Sequence, residues 1–391
     1  MKKLRVIQLA SFEGNIGDNA NHRGTRMLLS RNLDFQLEFT NLEIREFYWK
    51  KRKFDQSFVE LVNSHDLLII GGGNYFELWV KNSATGTSID MSSEIFNNIK
   101  TPILFYALGC DAGQGAPEEN INKFKNFLNL VQSSGKCLIS VRNDGSMETI
   151  VKLLGPEYAQ NIFRVPDGGF FTVVKESYHP ELPRGKRVIG INIAGDMLDV
   201  RFGDNAREKG RISYNHFIMN FANLLNNRLK QDPALNLVFF PHIFRDLSVI
   251  TDILQSLEDI YRRTRVTVAP YLHGEGAQEY IFDIYAKCDL ILGMRFHANV
   301  CGIGLNVPTV GLINYPQIEY LYKELSLIER IVYVNKEGFT ESLDCLIDQT
   351  LANPGAVKAR YKIIMERLLD EANSFHKVVN SWLKMKTKKN L

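Results

Sequence analysis

Two residues of complementary chemistry, Arg295 and His297, stand two positions apart after the apolar run Leu290–Leu292 and a glycine turn at Gly293. Arginine carries a permanent planar fork of donors, and histidine carries a donor that titrates near neutrality. At a strand-to-helix turn the helix start adds N–H groups and a partial positive charge. Such a constellation suits an anion. The plainer reading makes Arg295 a surface residue and His297 an ordinary residue of the helix start.

Further polar residues follow apolar runs elsewhere. Leu4–Ala10 leads into Gly14-Asn-Ile-Gly-Asp18, which offers Asn15, Asp18 and His22; here a polar turn with an Asp18 or Asn19 cap is the competing reading. Asp66–Ile70 ends in Gly71, Gly72 and Gly73, followed by Asn74 and Tyr75, and glycines there let a ligand or another loop approach the backbone. Lys136–Arg142 ends in an arginine four residues before a hydroxyl, Ser146. Pro241-His242 and Asn314 close two later apolar runs. The glycine loops match neither a P-loop nor a dinucleotide fingerprint.

Positioning these residues requires parallel strands. The apolar runs alternate with helical periodicity from Leu4 to Phe170, break at Tyr178–Lys186 with two prolines and a glycine, and restart at Arg187. Each half is a βαβ array, and in open α/β sheets ligands gather at the carboxyl ends of the strands. The expected fold is α/β, with two Rossmann-like domains in a glycosyltransferase-B-like arrangement around an interdomain cleft. The domains are placed at 1–178, carrying Asp18 and Arg142, and at 186–391, carrying Arg295 and His297. A long terminal helix, 356–385, is expected to cross back and brace the first domain.

The chain has 391 residues, 45% hydrophobic and 23% charged, so one core is too few. A net charge of +3 is too small to argue for nucleic acid. No uncharged apolar stretch is long enough to span a bilayer, and the N-terminus reads as a buried strand rather than a signal peptide. The five cysteines are odd in number and form no C-x-x-C pair, as expected of reduced thiols in a cytoplasmic protein. Three stretches stand apart. Phe47–Lys53 is basic and aromatic and is read as a solvated loop, with a sugar or acidic lipid surface as the alternative. Trp79–Asp90 is read as a mobile loop. Gly195–Arg211 carries Arg201, Arg207, Lys209 and Arg211. The basic tail after Lys384 is read as a solvated end, with anionic membrane contact at the inner face as the minor reading.

Taken in order, Gly14–Asp18, Asp66–Gly73, Val141–Ser146, Leu154-Gly155 with Val165-Pro-Asp167, Pro241-His242 and Arg295-Phe-His297 with Pro308 resemble the polysaccharide pyruvyl transferase family. The resemblance implies transfer of the pyruvyl group of phosphoenolpyruvate to two hydroxyls of a sugar, forming a cyclic ketal and releasing phosphate. The acceptor would belong to a cell-surface polysaccharide (exopolysaccharide or capsule) or its lipid-linked precursor. On that reading Arg295 and His297 hold the leaving phosphate and Arg142 reaches the donor carboxylate or phosphate. Asp18 is the first choice of proton carrier and His242 the second. Asn15, Gly72, Gly73, Asn74, Ser146 and Asn314 line the substrate sites. The motif requires no cofactor and no metal. Two rivals share the fold: a nucleotide-sugar-dependent glycosyltransferase, with Arg295 and the 195–211 loop on a diphosphate, and a non-catalytic glycan-binding protein.

Overall fold

The computed structural model describes residues 2–203, 210–274 and 276–388. The chain forms two compact units. The first comprises the chain up to Phe12, His22–Gly168 and the chain from Arg367 onward; the second comprises Glu13–Asn21 and Gly169–Glu366. Among the described residues no helix is long and apolar enough to cross a membrane.

The first unit holds β1 (Lys2–Ala10), β2 (Phe35–Glu43), β3 (Leu67–Gly71), β4 (Phe76–Glu77), β5 (Ile103–Leu108), β6 (Cys110–Asp111), β7 (Cys137–Arg142) and β8 (Ile162–Val165). Its main sheet runs β2-β1-β3-β5-β7-β8, every neighbouring pair parallel. Leu67–Gly71 and Ile103–Leu108 are buried throughout, as continuous apolar runs must be when both sheet faces are covered. On one face the terminal helix Pro354–Lys388 lays Phe375, Val379, Trp382 and Leu383 against Leu4, Val6, Phe35 and Leu104. Each such buried side chain contributes roughly 2 kcal/mol, enough together to fix the last turns of that helix. His376 on the same helix meets the Tyr106 hydroxyl at 2.8 Å and the Asn32 amide at 3.0 Å, and burial pushes its pKa down to about 4.

Beyond β3 and β5 the backbones separate and then pair again as the short parallel strands β4 and β6, with Glu77 opposite Asp111. A Cβ on Gly71 would overlap the Tyr106 carbonyl, so only glycine lets these two strands approach so closely. The stretch Trp79–Asp90 departs from the expected mobile loop. Ser83, Thr85 and Thr87 are buried, and their hydroxyls bond one another and the backbone: Ser83 Oγ donates to the Thr87 carbonyl at 2.6 Å and Thr85 Oγ1 to the Ile89 carbonyl at 2.7 Å. Alternating hydroxyls satisfied by local backbone look like a solvated loop in sequence, yet they can be packed.

The second unit holds β9 (Arg187–Asn192), β10 (Leu235–Phe239), β11 (Val266–Val268), β12 (Leu290–Gly293), β13 (Thr309–Ile313) and β14 (Ile331–Tyr333), in the order β11-β10-β9-β12-β13-β14, all parallel. The order reverses between β9 and β12, and in such sheets the crevice at the carboxyl ends of the reversing strands is where ligands bind. In the first unit the reversal lies between β1 and β3. Each unit is therefore Rossmann-like, and each fixes one edge position where polar residues count most.

Candidate functional site

In the second unit the reversal point is built from Asn192 and Arg295. Asn192 ends β9 and its Oδ1 accepts the Arg295 backbone N–H at 3.0 Å, holding the turn that starts the helix Phe296–Gly304. The Arg295 side chain is committed. Its Nε donates to Asp246 Oδ2 at 2.8 Å, and its Nη2 donates to Asp246 Oδ1 at 2.5 Å and to Asp196 Oδ1 at 2.9 Å. Asp246 is fully buried and also accepts the backbone N–H groups of Gly195, His242 and Ile243 at 3.0, 2.9 and 3.1 Å. Burial would raise its pKa, but the Arg295 charge and these bonds hold it below the usual carboxylate range. Asp196 is opposed by burial in the same way, yet Arg295 and Arg201 bring it down to about 2. Burial likewise works against the Arg295 charge and is outweighed by Asp246 and Asp196, which raise its pKa.

Arg295, expected to hold a phosphate or else to be a surface residue, is thus largely engaged within the protein. Two of its three side-chain nitrogens are bound to carboxylates; Nη1 makes no hydrogen bond to the described residues. Arg201 is buried beside it, donating to the Asp196 carbonyl at 2.9 Å and to Asn314 Oδ1 at 3.0 Å, with its guanidinium 5.3 Å from the Tyr315 ring centroid. Asn314 therefore positions Arg201. Arg207 and Lys209 of the basic loop lie outside the described residues.

Asp18 packs in this unit rather than in the first. The residues Glu13–Asn21 belong to the second unit: Ile16 and Ala20 join its core, and the Ile16 N–H donates to the His242 carbonyl at 3.2 Å. The helix begins at Ile16, where the Asn15 side chain caps it by accepting the Gly17 N–H at 3.0 Å. Asp18 then sits in the first turn, with Oδ1 3.6 Å from His297 Nδ1, the side chains only 14% and 8% exposed. A Cβ on Gly17 would overlap His297, so this glycine is what admits the histidine. His242 lies against the same segment. It is buried, its Nε2 is 2.8 Å from the Tyr285 hydroxyl, and burial, opposed by Asp246, pushes its pKa down to about 3. Held neutral, His242 is a poor proton carrier near pH 7, so its expected role is corrected to a structural one. His22 belongs to the first unit and is occupied by the Ser11 carbonyl at 2.9 Å and Gln8 at 3.3 Å.

In the first unit Arg142 is also committed. It is 3% exposed, with Nε 2.5 Å from Asp144 Oδ2 and Nη1 3.5 Å from Asp167 Oδ2. The expectation that it reaches out to a donor is corrected accordingly: its charge serves the carboxylates around it. Ser146 Oγ donates to Asp144 and accepts the Cys110 N–H at 2.7 Å, a structural use of that hydroxyl. Gly72 adopts the left-handed region (φ 80°), turning the chain after β3, and a Cβ on Gly73 would overlap the Tyr75 ring. The Tyr75 hydroxyl turns inward, accepting the Ser11 N–H at 2.7 Å. Asn74 Nδ2 donates to Asp111 Oδ2 at 2.9 Å, and its Oδ1 is buried without a partner among the described residues.

Sequence reasoning missed Glu77. Ser88 donates to it, Asp111 lies opposite it in the strand register, and burial together with the Asp111 charge pushes its pKa up to about 7, against the Ser88 bond and the Arg142 charge. Asp196 and Asp246 were missed as well. The one available signal for Asp246 was its place at the start of a helix, four residues after Pro241-His242 at a strand end. The two units differ in character. The second carries balanced arginines and carboxylates with the Asp18–His297 pair; the first carries one arginine among Asp144, Asp167, Asp111 and Glu77, an arrangement that favours hydroxyl donors over anions.

The family model described as polysaccharide pyruvyl transferase matches residues 15–315. No curated protein matches the chain. Among solved structures, a glycosyltransferase from Rickettsia africae ESF-5 superposes with a TM-score of 0.55 at 10% identity, covering 99% of this chain and 100% of its own. The UDP complex of MnaA from S. aureus gives 0.53 at 11% identity, covering 95% and 91%. A UDP-N-acetylglucosamine 2-epimerase gives 0.54 at 12%, covering 93% and 91%. At such identities these likenesses speak for the α/β fold of two Rossmann-like domains, of glycosyltransferase-B type.

Proposed function

The chain belongs to the polysaccharide pyruvyl transferase family, and from that premise we propose that it moves the pyruvyl group of phosphoenolpyruvate onto two hydroxyls of one sugar, forming a ketal and releasing phosphate. The observation that carries this reading is the pairing of Asp18 with His297 beside Arg295 at the reversal point of the second sheet.

The donor presents a phosphate and a carboxylate on an enol carbon. In the proposed site it binds at the start of the helix Phe296–Gly304, with Arg295 Nη1 and His297 toward the phosphate. The remaining Arg295 nitrogens are fixed by Asp246 and Asp196, so the guanidinium is oriented before the donor arrives. Because those carboxylates already balance the arginines, recognition rests on geometry more than on excess charge. As the first sugar hydroxyl adds to the enol carbon, Asp18 takes its proton and returns it to the methylene carbon, which becomes a methyl group. The second hydroxyl then attacks the same carbon and the bond to phosphate breaks; Asp18 takes that hydroxyl's proton while His297, oriented by Asp18, protonates the departing phosphate.

For the acceptor, the carboxylate-rich edge of the first unit supplies hydrogen-bond acceptors for sugar hydroxyls: Asp111 and Glu77, with Asn74 beside them. The acceptor is a glycan of the cell surface or its lipid-linked precursor, met on the cytoplasmic side. Calorimetric titration with phosphoenolpyruvate tests the donor assignment. Saturable binding that Arg295→Ala weakens by tenfold or more supports it; nucleotide-sugar binding with no heat from phosphoenolpyruvate overturns it in favour of a glycosyltransferase.

A further inference from the structure

The turn Trp49–Lys53 follows β2 and the short helix Arg45–Tyr48, at the carboxyl edge of the first sheet. It is exposed throughout, as expected of a solvated loop, and it stands on an ordered base. Phe47 stacks on Phe54 at 4.2 Å between ring centroids, and both rings pack edge-on against buried Phe58 at 5.7 and 5.1 Å. The backbone is closed by Trp49 N–H to the Arg45 carbonyl at 2.8 Å and Lys51 N–H to the Glu46 carbonyl at 2.9 Å, and Lys50 takes a left-handed conformation (φ 57°). A rigid base thus holds four consecutive cations outward.

Both nearby carboxylates are occupied. Glu46 pairs with Arg52 at 2.5 Å, and Asp55 caps the helix Gln56–Asn63 through the Ser57 and Phe58 N–H groups at 3.1 and 3.2 Å. Among the described residues Lys50, Lys51 and Lys53 form no close ion pair with a carboxylate. Beside them Trp49 is 51% exposed and Tyr48 44%, with the Lys51 ammonium 5.0 Å from the Trp49 ring. Under the basic turn lies a depression of about 550 Å³, lined mainly by polar and charged groups: the cations, Glu46, Asp55 and Ser57, with Leu42 and Leu61 contributing the smaller apolar part.

From this surface we infer that the first unit docks on an anionic lipid bilayer through Tyr48–Lys53. Lysines without a close ion pair, of which only Lys53 feels a nearby carboxylate (Asp55), match the negative surface potential of such a membrane. The exposed indole of Trp49 suits the headgroup layer, where one end of the ring is wet and the other apolar. The exposed indole of Trp49 beside the lysines gives a headgroup layer a partly apolar contact that a soluble polyanion has less use for, which is why a bilayer is favoured over an acidic glycan. Docking would bring the protein to the surface where lipid-linked sugars reside, but it involves no donor chemistry and stands independently of the phosphoenolpyruvate reading.

Co-sedimentation of the full chain with vesicles tests it, in the absence of any donor. The expected result is binding to phosphatidylcholine vesicles containing phosphatidylglycerol, none to phosphatidylcholine alone, release by high salt, and a blue shift of fluorescence that Trp49→Ser removes. The triple variant Lys50→Gln, Lys51→Gln, Lys53→Gln, with an unchanged circular dichroism spectrum, should lose about hundredfold in partitioning. The inference is overturned by absence of binding to the anionic vesicles, by equal binding to neutral ones, or by a triple variant that partitions like the parent. It is also overturned if a soluble anionic glycan displaces the vesicles at matched charge.

Discussion

Replacing Glu77 by Gln isolates one half-buried carboxyl with little change in shape. In the folded chain Glu77 accepts the Ser88 hydroxyl, faces Asp111 across the β4–β6 pair, and has its pKa pushed from 4.5 to about 7, first by burial and then by the Asp111 charge. The sign follows from linkage. A folded-state pKa above the unfolded value means the folded chain holds the proton more tightly. The stability tied to that proton is fully present below the unfolded value of 4.5 and is lost as pH rises through about 7. At about 1.4 kcal/mol for each pH unit, the difference between low and high pH is on the order of 3 kcal/mol. The amide of the Glu77→Gln variant carries no charge at any pH. Urea unfolding should therefore show the variant ahead by about 1 kcal/mol or less at about pH 5, and by up to about 3 kcal/mol at about pH 8.5. Titrating groups that do not interact with Glu77 cancel in this difference. A stability difference that is the same at both pH values would refute the placement of Glu77 in a desolvated, carboxylate-rich setting.

Other perturbations separate orientation from folding. Asp246→Asn leaves Arg295 with Asp196 as its remaining carboxylate, and breaking a buried pair costs about 3 kcal/mol or more; urea unfolding checks this, and a loss below about 1 kcal/mol would show that Asp246 is not the keystone described. Gly17→Ala sets a methyl against His297, so turnover with phosphoenolpyruvate should fall tenfold or more while overpacking costs only about 1–2 kcal/mol of stability. Full turnover in that variant would remove His297 from the proposed chemistry.

Much of the fold was legible because its signals are local. The runs Leu67–Ile70 and Ile103–Leu108 could be little else than strands covered on both faces, and the β-α alternation gave two Rossmann-like halves. The ordered motifs carried the family. The site was less legible, because partnership is a property of three dimensions. Arg295 and Arg142 read as available cations, yet Asp246, Asp196, Asp144 and Asp167, distant or bland in sequence, occupy them. Asp18 follows the first strand in sequence, but the Asn15 cap and the anchor of Ile16 on the His242 carbonyl carry it into the second unit. Glu77 gave no signal at all, since nothing in its sequence neighbourhood announces that Asp111 will stand opposite.

The central claim is the transfer itself. Mass spectrometry of candidate cell-surface glycans and their lipid-linked precursors, incubated with the protein and phosphoenolpyruvate, tests it directly. The account predicts a product heavier than its acceptor by one pyruvyl ketal, formed together with an equal amount of phosphate, and lost in Asp18→Asn and Arg295→Ala variants that remain folded. Transfer of a sugar from a nucleotide-sugar under the same conditions, with the glycans unchanged by phosphoenolpyruvate, would contradict it.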